Sequence, residues 1–149
     1  MTTALLQKFG LKLLYNRLCN QGFVAMSQPY TIQHQGKITS ITLKGEVNNT
    51  LLKSIAEELW QGKDYHHPCE LWDLRTCIVA IGPQEIKELS QFVSAQKEGR
   101  GYGRVAIVVE RDLHFKLSQL YEHHTQNLPF EVKAFRDIDI AREWLLDSA

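Results

Sequence analysis

Hydrophobic and polar positions along this chain change their spacing in a regular way. Tyr30 to Gln35 and Ile38 to Lys44 are rich in Ile and Thr, with His34-Gln35-Gly36-Lys37 at the junction. Two β-branched runs joined by a short glycine-containing link predict a β-hairpin. The period then lengthens. Asn48 or Asn49 can cap a helix running to Gln61, with Leu52, Ile55 and Leu59 on one stripe and Gly62 as its stop. Lys63 to Pro68 reads as a polar loop, and Glu70 to Leu74 as a short strand. Pro83 suits the first position of a second helix, in which Ile86, Leu89 and Val93 recur at helical spacing up to Lys97.

The second half repeats the alternation. Gly99, Gly101 and Gly103 mark a loop. Val105 to Val109, β-branched except for Ala106, predicts a strand covered on both faces. Asp112 is placed to cap a third helix whose apolar stripe is Leu113, Leu117, Leu120 and Tyr121. Pro129 opens a strand over Phe130 to Phe135, and Asp137 caps a last helix with Ile138, Ala141 and Leu145 on one face. The expected order is β-β-α-β-α-β-α-β-α after an N-terminal helix. Strands alternating with helices imply an α/β fold with a largely parallel sheet and right-handed crossovers. If the crossover helices all cover one face, the apolar residues of Val105 to Val109 on the other need a cover, which the N-terminal helix or a second subunit could supply. That makes a homodimer an expectation.

Residues 1–26 stand apart as an N-terminal amphipathic segment, and 27–149 form the domain. Lys8, Lys12 and Arg17 are interleaved with leucines and aromatics, and no acid occurs before Glu46. Lys8 and Lys12 interrupt the apolar stretch that a signal peptide needs. Such a helix can pack on the domain, touch a membrane surface or bind a partner. Met26 is a second candidate start.

Composition narrows the function classes. The 149 residues contain 17 Lys plus Arg and 17 Asp plus Glu, so the formal net charge is zero. A nucleic-acid binder draws most of its affinity from a basic surface, and this chain has no such excess. No apolar run approaches the roughly 18 residues that suggest a membrane-spanning helix. Cys19, Cys69 and Cys77 are odd in number and have no CxxC spacing, so free thiols and a cytoplasmic location are expected.

Several stretches carry a resemblance to a known family: Leu71-Trp72-Asp73-Leu74-Arg75, Gly103-Arg104-Val105-Ala106-Ile107-Val108, Leu113 to Glu122, Pro129 to Asp137, and Ala141 with Trp144-Leu145. From Tyr30 onward the chain resembles the STAS domains of anti-sigma-factor antagonists, in particular a bacterial group called SpoIIAA-like. The resemblance implies sequentially ordered strands with helices mainly on one face, a non-catalytic regulatory role and a protein partner. In the anti-sigma-factor antagonists a serine at the start of the helix after the third strand is phosphorylated. The matching stretch here, Val79-Ala80-Ile81-Gly82-Pro83-Gln84, has no serine or threonine. The fold is also similar to that of CRAL-TRIO lipid carriers, although this chain is short for an enclosed lipid cavity.

Candidate chemistry is sparse. Arg75, Arg111 and Arg136 fall at or just past the C-terminal ends of three successive strands, where ligands of open α/β sheets bind. With Thr76 they form a candidate site for a phosphate, a carboxylate or the head of a lipid. Asp73, Asp112 and Asp137 offer each arginine an alternative partner. His66, His67 and Cys69, and separately His123 and His124, lack the ligand spacing of zinc sites, so no metal or cofactor is expected. Cys77 sits among Ile78, Val79, Ala80 and Ile81, which predicts an inert thiol, and no nucleophile motif is present. Trp60 and Phe115 fall on the backs of their predicted helices and are the candidate partner-interface aromatics.

Overall fold

The computed structural model describes residues 29–60, 68–96 and 101–147. The expectations for residues 1–26, for the loop at 63–67 and for Gly99, together with Cys19, His66 and His67, lie outside those residues.

The hairpin forms where the pattern places it. Strand β1 (Tyr30–Gln35) runs antiparallel to β2 (Ile38–Leu43). The turn passes through Gly36 at φ 59°, a conformation that glycine adopts without steric cost. Strands β4 (Cys69–Asp73), β6 (Gly103–Val108) and β7 (Phe130–Phe135) add in parallel, giving a five-stranded sheet in the order β1-β2-β4-β6-β7. Two strands of three residues each were not anticipated. β3 (Gly45–Val47) and β5 (Cys77–Val79) pair in parallel as a separate ribbon beyond the sheet's C-terminal edge. Each is too short to show a period of its own.

Four helices follow, α1 (Asn49–Trp60), α2 (Pro83–Ala95), α3 (Asp112–His124) and α4 (Ile138–Leu146). Asn48 caps α1, its Oδ1 accepting the Leu51 N–H at 2.9 Å. Asp137 caps α4, one oxygen accepting from Asp139 and Ile140 at 2.8 and 3.2 Å. α3 differs: its N-cap is Arg111, without a side-chain bond, and Asp112 is the first helical residue. Its buried face is accordingly His114, Leu117 and Ser118, while Leu113, expected in the core stripe, is exposed. Three leucines and an aromatic mark an apolar stripe in sequence, but the helix turns a histidine and a serine inward, where His114 Nε2 accepts the Val79 N–H at 3.3 Å and the Ser118 hydroxyl donates to the His114 carbonyl at 2.8 Å.

Alternation along the strands sends residues to two cores. Ile41, Leu43, Trp72, Val105 and Phe130 face α1 to α3 in one cluster, whereas Ile38, Leu71, Ala106, Val108 and Phe135 face α4 in the other. The apolar back of β6, for which a cover from outside the domain was expected, is therefore covered by the C-terminal helix α4. Arg104 fastens that helix, donating to the carbonyls of Trp144 and Asp147 at 2.6 Å each while lying over the Trp144 ring. Gly103 begins β6 at φ 151°, and a Cβ there would come within 2.0 Å of the Pro68 carbonyl oxygen. Only glycine lets the chain pass there and set the Arg104 N–H on that same oxygen at 2.7 Å.

Candidate functional site

The parallel register brings the ends of β4, β6 and β7 into line. Asp73 pairs with Val108 and Val108 with Phe135. The Leu74 N–H reaches the Val108 carbonyl and the Val109 N–H the Phe135 carbonyl, so Arg75, Arg111 and Arg136 do share one edge. Their side chains, however, are already committed in two of three cases. Arg75 grips Asp73 through two guanidinium bonds of 2.9 Å each, and its backbone N–H reaches the same carboxylate at 3.1 Å. Burial alone would raise the Asp73 carboxyl, but those three bonds hold it below its ordinary value, and the pairing raises Arg75 in turn. Arg136 bonds Asp112 at 2.6 Å and lies over the Phe115 ring at 4.6 Å. The Thr76 hydroxyl donates to the Leu43 carbonyl at 3.1 Å, which ties the β5 ribbon to β2. Arg111 alone has no ion pair or hydrogen bond from its side chain among the described residues. With Asp73, Glu110, Asp112, Asp137 and Asp139 around the same edge, acids outnumber the three arginines.

The same edge exposes apolar surface. Ile78 is 51% accessible, Leu113 63% and Ile140 55%. They come from β5 and from the first turns of α3 and α4. Hydrogen bonds string those segments together: the Val79 N–H donates to His114 Nε2 at 3.3 Å, and Arg136 to Asp112. Each exposed aliphatic residue is within four positions of one of those links.

Trp60 and Phe115 are not the exposed aromatics that helical spacing suggests. Trp60 is 9% accessible, because the end of α1 turns its indole beneath the sheet to reach a carboxylate. Phe115 is half-buried against the main core and covered by Arg136.

That carboxylate was missed by the sequence reading. Glu70 is fully buried in the middle of β4. Its two oxygens accept the indole N–H groups of Trp60 at 3.0 Å and of Trp72 at 2.8 Å. Glu70 and Trp72 are two apart on one strand, so they share a face, which was the available signal. A cavity of about 90 Å³ adjoins them, walled mostly by aliphatic side chains of the sheet and of α1 to α3. His114 also lines it. Burial, followed by the charge of Arg111, lowers the His114 pKa, so the imidazole stays neutral around pH 7. Cys77 is buried and its thiol is pushed up to about 11, chiefly by burial, so it carries little thiolate.

An uncharacterized protein of the DUF3478 family with a SpoIIAA-like fold, from Shewanella loihica, is similar in structure over 81% of this chain and 99% of its own, with a TM-score of 0.52 and 16% identity. This chain has a SpoIIAA-like fold. No family model matches it, and no curated protein does.

The helix that follows the third strand of the sheet is α2. Gly82 is its N-cap, Pro83 its first residue, and the Glu85 carboxylate accepts the Gly82 N–H. A carboxylate thus already occupies the helix N-terminus, where negative charge is stabilised by the helix dipole. Ser90, further along, is buried and donates to the Lys87 carbonyl. No helix among the described residues is long and apolar enough to cross a membrane.

Proposed function

We propose that the chain is a non-catalytic regulatory or protein-interaction module of the STAS type, working in the cytoplasm and docking its partner on the C-terminal edge of the sheet. The observation that carries this reading is the row of exposed aliphatic side chains, Ile78, Leu113 and Ile140, set among charged residues of both signs on that edge. An apolar centre with a charged rim is the usual composition of a protein interface. Two features support a module without a phosphorylation switch at the helix start: Gly82 and Pro83 carry no hydroxyl, and the Glu85 carboxylate already accepts the Gly82 N–H there. The thiol of Cys77, protonated and buried, offers no nucleophile.

The test compares proteins retained from host-cell extract by the native chain and by the double variant Leu113→Asp/Ile140→Asp. A retained protein lost only with the variant supports docking at this edge. Identical retained sets refute it.

A second reading places a small anion, or a lipid through its anionic head, at Arg111 with Arg75, Arg136 and Thr76 around it. The uncommitted guanidinium of Arg111 supports it, and the acids along the edge weigh against it. A dose-dependent rise in melting temperature with phosphate, lost in Arg111→Ala, would favour this reading.

A further inference from the structure

We propose that the cavity between the sheet and helices α1 to α3 is a binding site for one compact, mostly apolar molecule bearing a single hydrogen-bond acceptor, of the class of a small aliphatic ketone. This site lies between the sheet and the helices and adjoins the edge that carries the proposed docking function at Val79 and His114.

Size is the first support. Folded interiors are packed about as densely as organic crystals, and few voids exceed a water molecule. A water needs about 10–15 Å³ of such space. A cavity of about 90 Å³ is several times larger. An engineered apolar cavity of about 150 Å³ stays dry and takes up benzene, so the smaller space here suits a molecule of only a few heavy atoms. The walls are the second support. Leu89, Val93, Ile107 and Leu117 present aliphatic surface, and Trp60 and Trp72 add aromatic surface. The indoles do not hang loosely there, because Glu70 holds both by their N–H groups. The pocket is therefore pre-shaped, and binding would require little ordering of its walls.

A polar anchor is the third support. His114 lines the cavity, and its Nε2 accepts the Val79 N–H. That bond fixes the neutral ring as the tautomer protonated at Nδ1, and the Nδ1–H has no hydrogen-bond acceptor among the described residues. A ligand with an acceptor oxygen would satisfy it. A ligand bearing a charge would not be tolerated, since an apolar enclosure penalises any ion it cannot pair.

The test uses the full chain with 2-butanone as probe and 2-methyl-1-butene, which carries a methylene in place of the oxygen, as its counterpart, followed by methyl-detected NMR. The expected result is a saturable shift of the Ile86 and Leu117 methyl signals with 2-butanone, several-fold tighter than with 2-methyl-1-butene. Filling the cavity with Ala56→Met should weaken the binding at least tenfold while the fold is retained. Should that variant not fold, Ser118→Val fills the same space from α3. Absence of any shift up to the solubility limit of the probe would overturn the proposal, as would equal binding by a folded, filled variant. Equal affinity for 2-methyl-1-butene would overturn the role of His114.

Discussion

Glu70 and Asp73 lie three residues apart on and beside the same strand, yet their surroundings are opposite. Glu70 is shut inside the main core and held by two indoles. Asp73 stands where β4 leaves the sheet and is held by a half-exposed arginine. At the interior site no solvent competes for the partners, so each unmade bond carries the full desolvation penalty of the group left behind. At the edge, water and salt replace a broken pair at small cost. The interior is thus where polar groups decide stability, and the edge is where charges and exposed aliphatics are free to serve recognition.

Replacing Glu70 should give the largest effect. Glu70→Ala would leave two indole N–H groups buried without their acceptor and open further space, costing about 3 kcal/mol by urea unfolding. A loss below that of an edge pair would break the comparison. Trp72→Phe removes one donor and keeps most of the aromatic volume, and should cost about 1–2 kcal/mol. A third difference appears on titration. The pKa of His114 is lower in the folded chain than in the unfolded one, so the unfolded chain takes up the proton first as pH falls. The stability this contributes is complete above the ordinary histidine range and is lost as pH drops through it towards the lowered folded value. Between about pH 7.5 and about 5.5, His114→Gln should therefore flatten the fall in unfolding midpoint seen with the native chain; parallel curves would show that the histidine is not the group responsible. The smallest effect belongs to the edge. Arg75→Ala should cost less than about 1 kcal/mol, and less again in high salt, because its pair with Asp73 is only partly screened from water.

The same contrast explains what was legible in sequence. The element order, the hairpin and the Asn48 and Asp137 caps follow from local signals: period, turn chemistry and a cap residue before an apolar run; the order of strands within the sheet came from the family resemblance. The line of strand-end arginines was legible too, since parallel topology alone places them on one edge. Which of them pair was a matter of side-chain reach: Asp73 and Arg75 are local, but Arg136 chose Asp112 on another helix rather than its neighbour Asp137, which caps α4. Trp60 was misjudged because a helical wheel assigns a face from aliphatic neighbours and cannot register a buried carboxylate ten residues away. Leu113 was misjudged for a related reason. The helix starts one residue earlier than an aspartate cap suggests, and the inward positions fall on His114 and Ser118, which find partners there.

Docking at the edge is the central claim, and site-specific photocrosslinking in cells tests it most directly. A benzophenone amino acid replacing Leu113 should yield a discrete protein adduct, and the same group replacing Gln33, on the exposed edge strand β1, should not. Absence of an adduct at position 113, or the same adduct at both positions, would contradict a partner docked on the C-terminal edge.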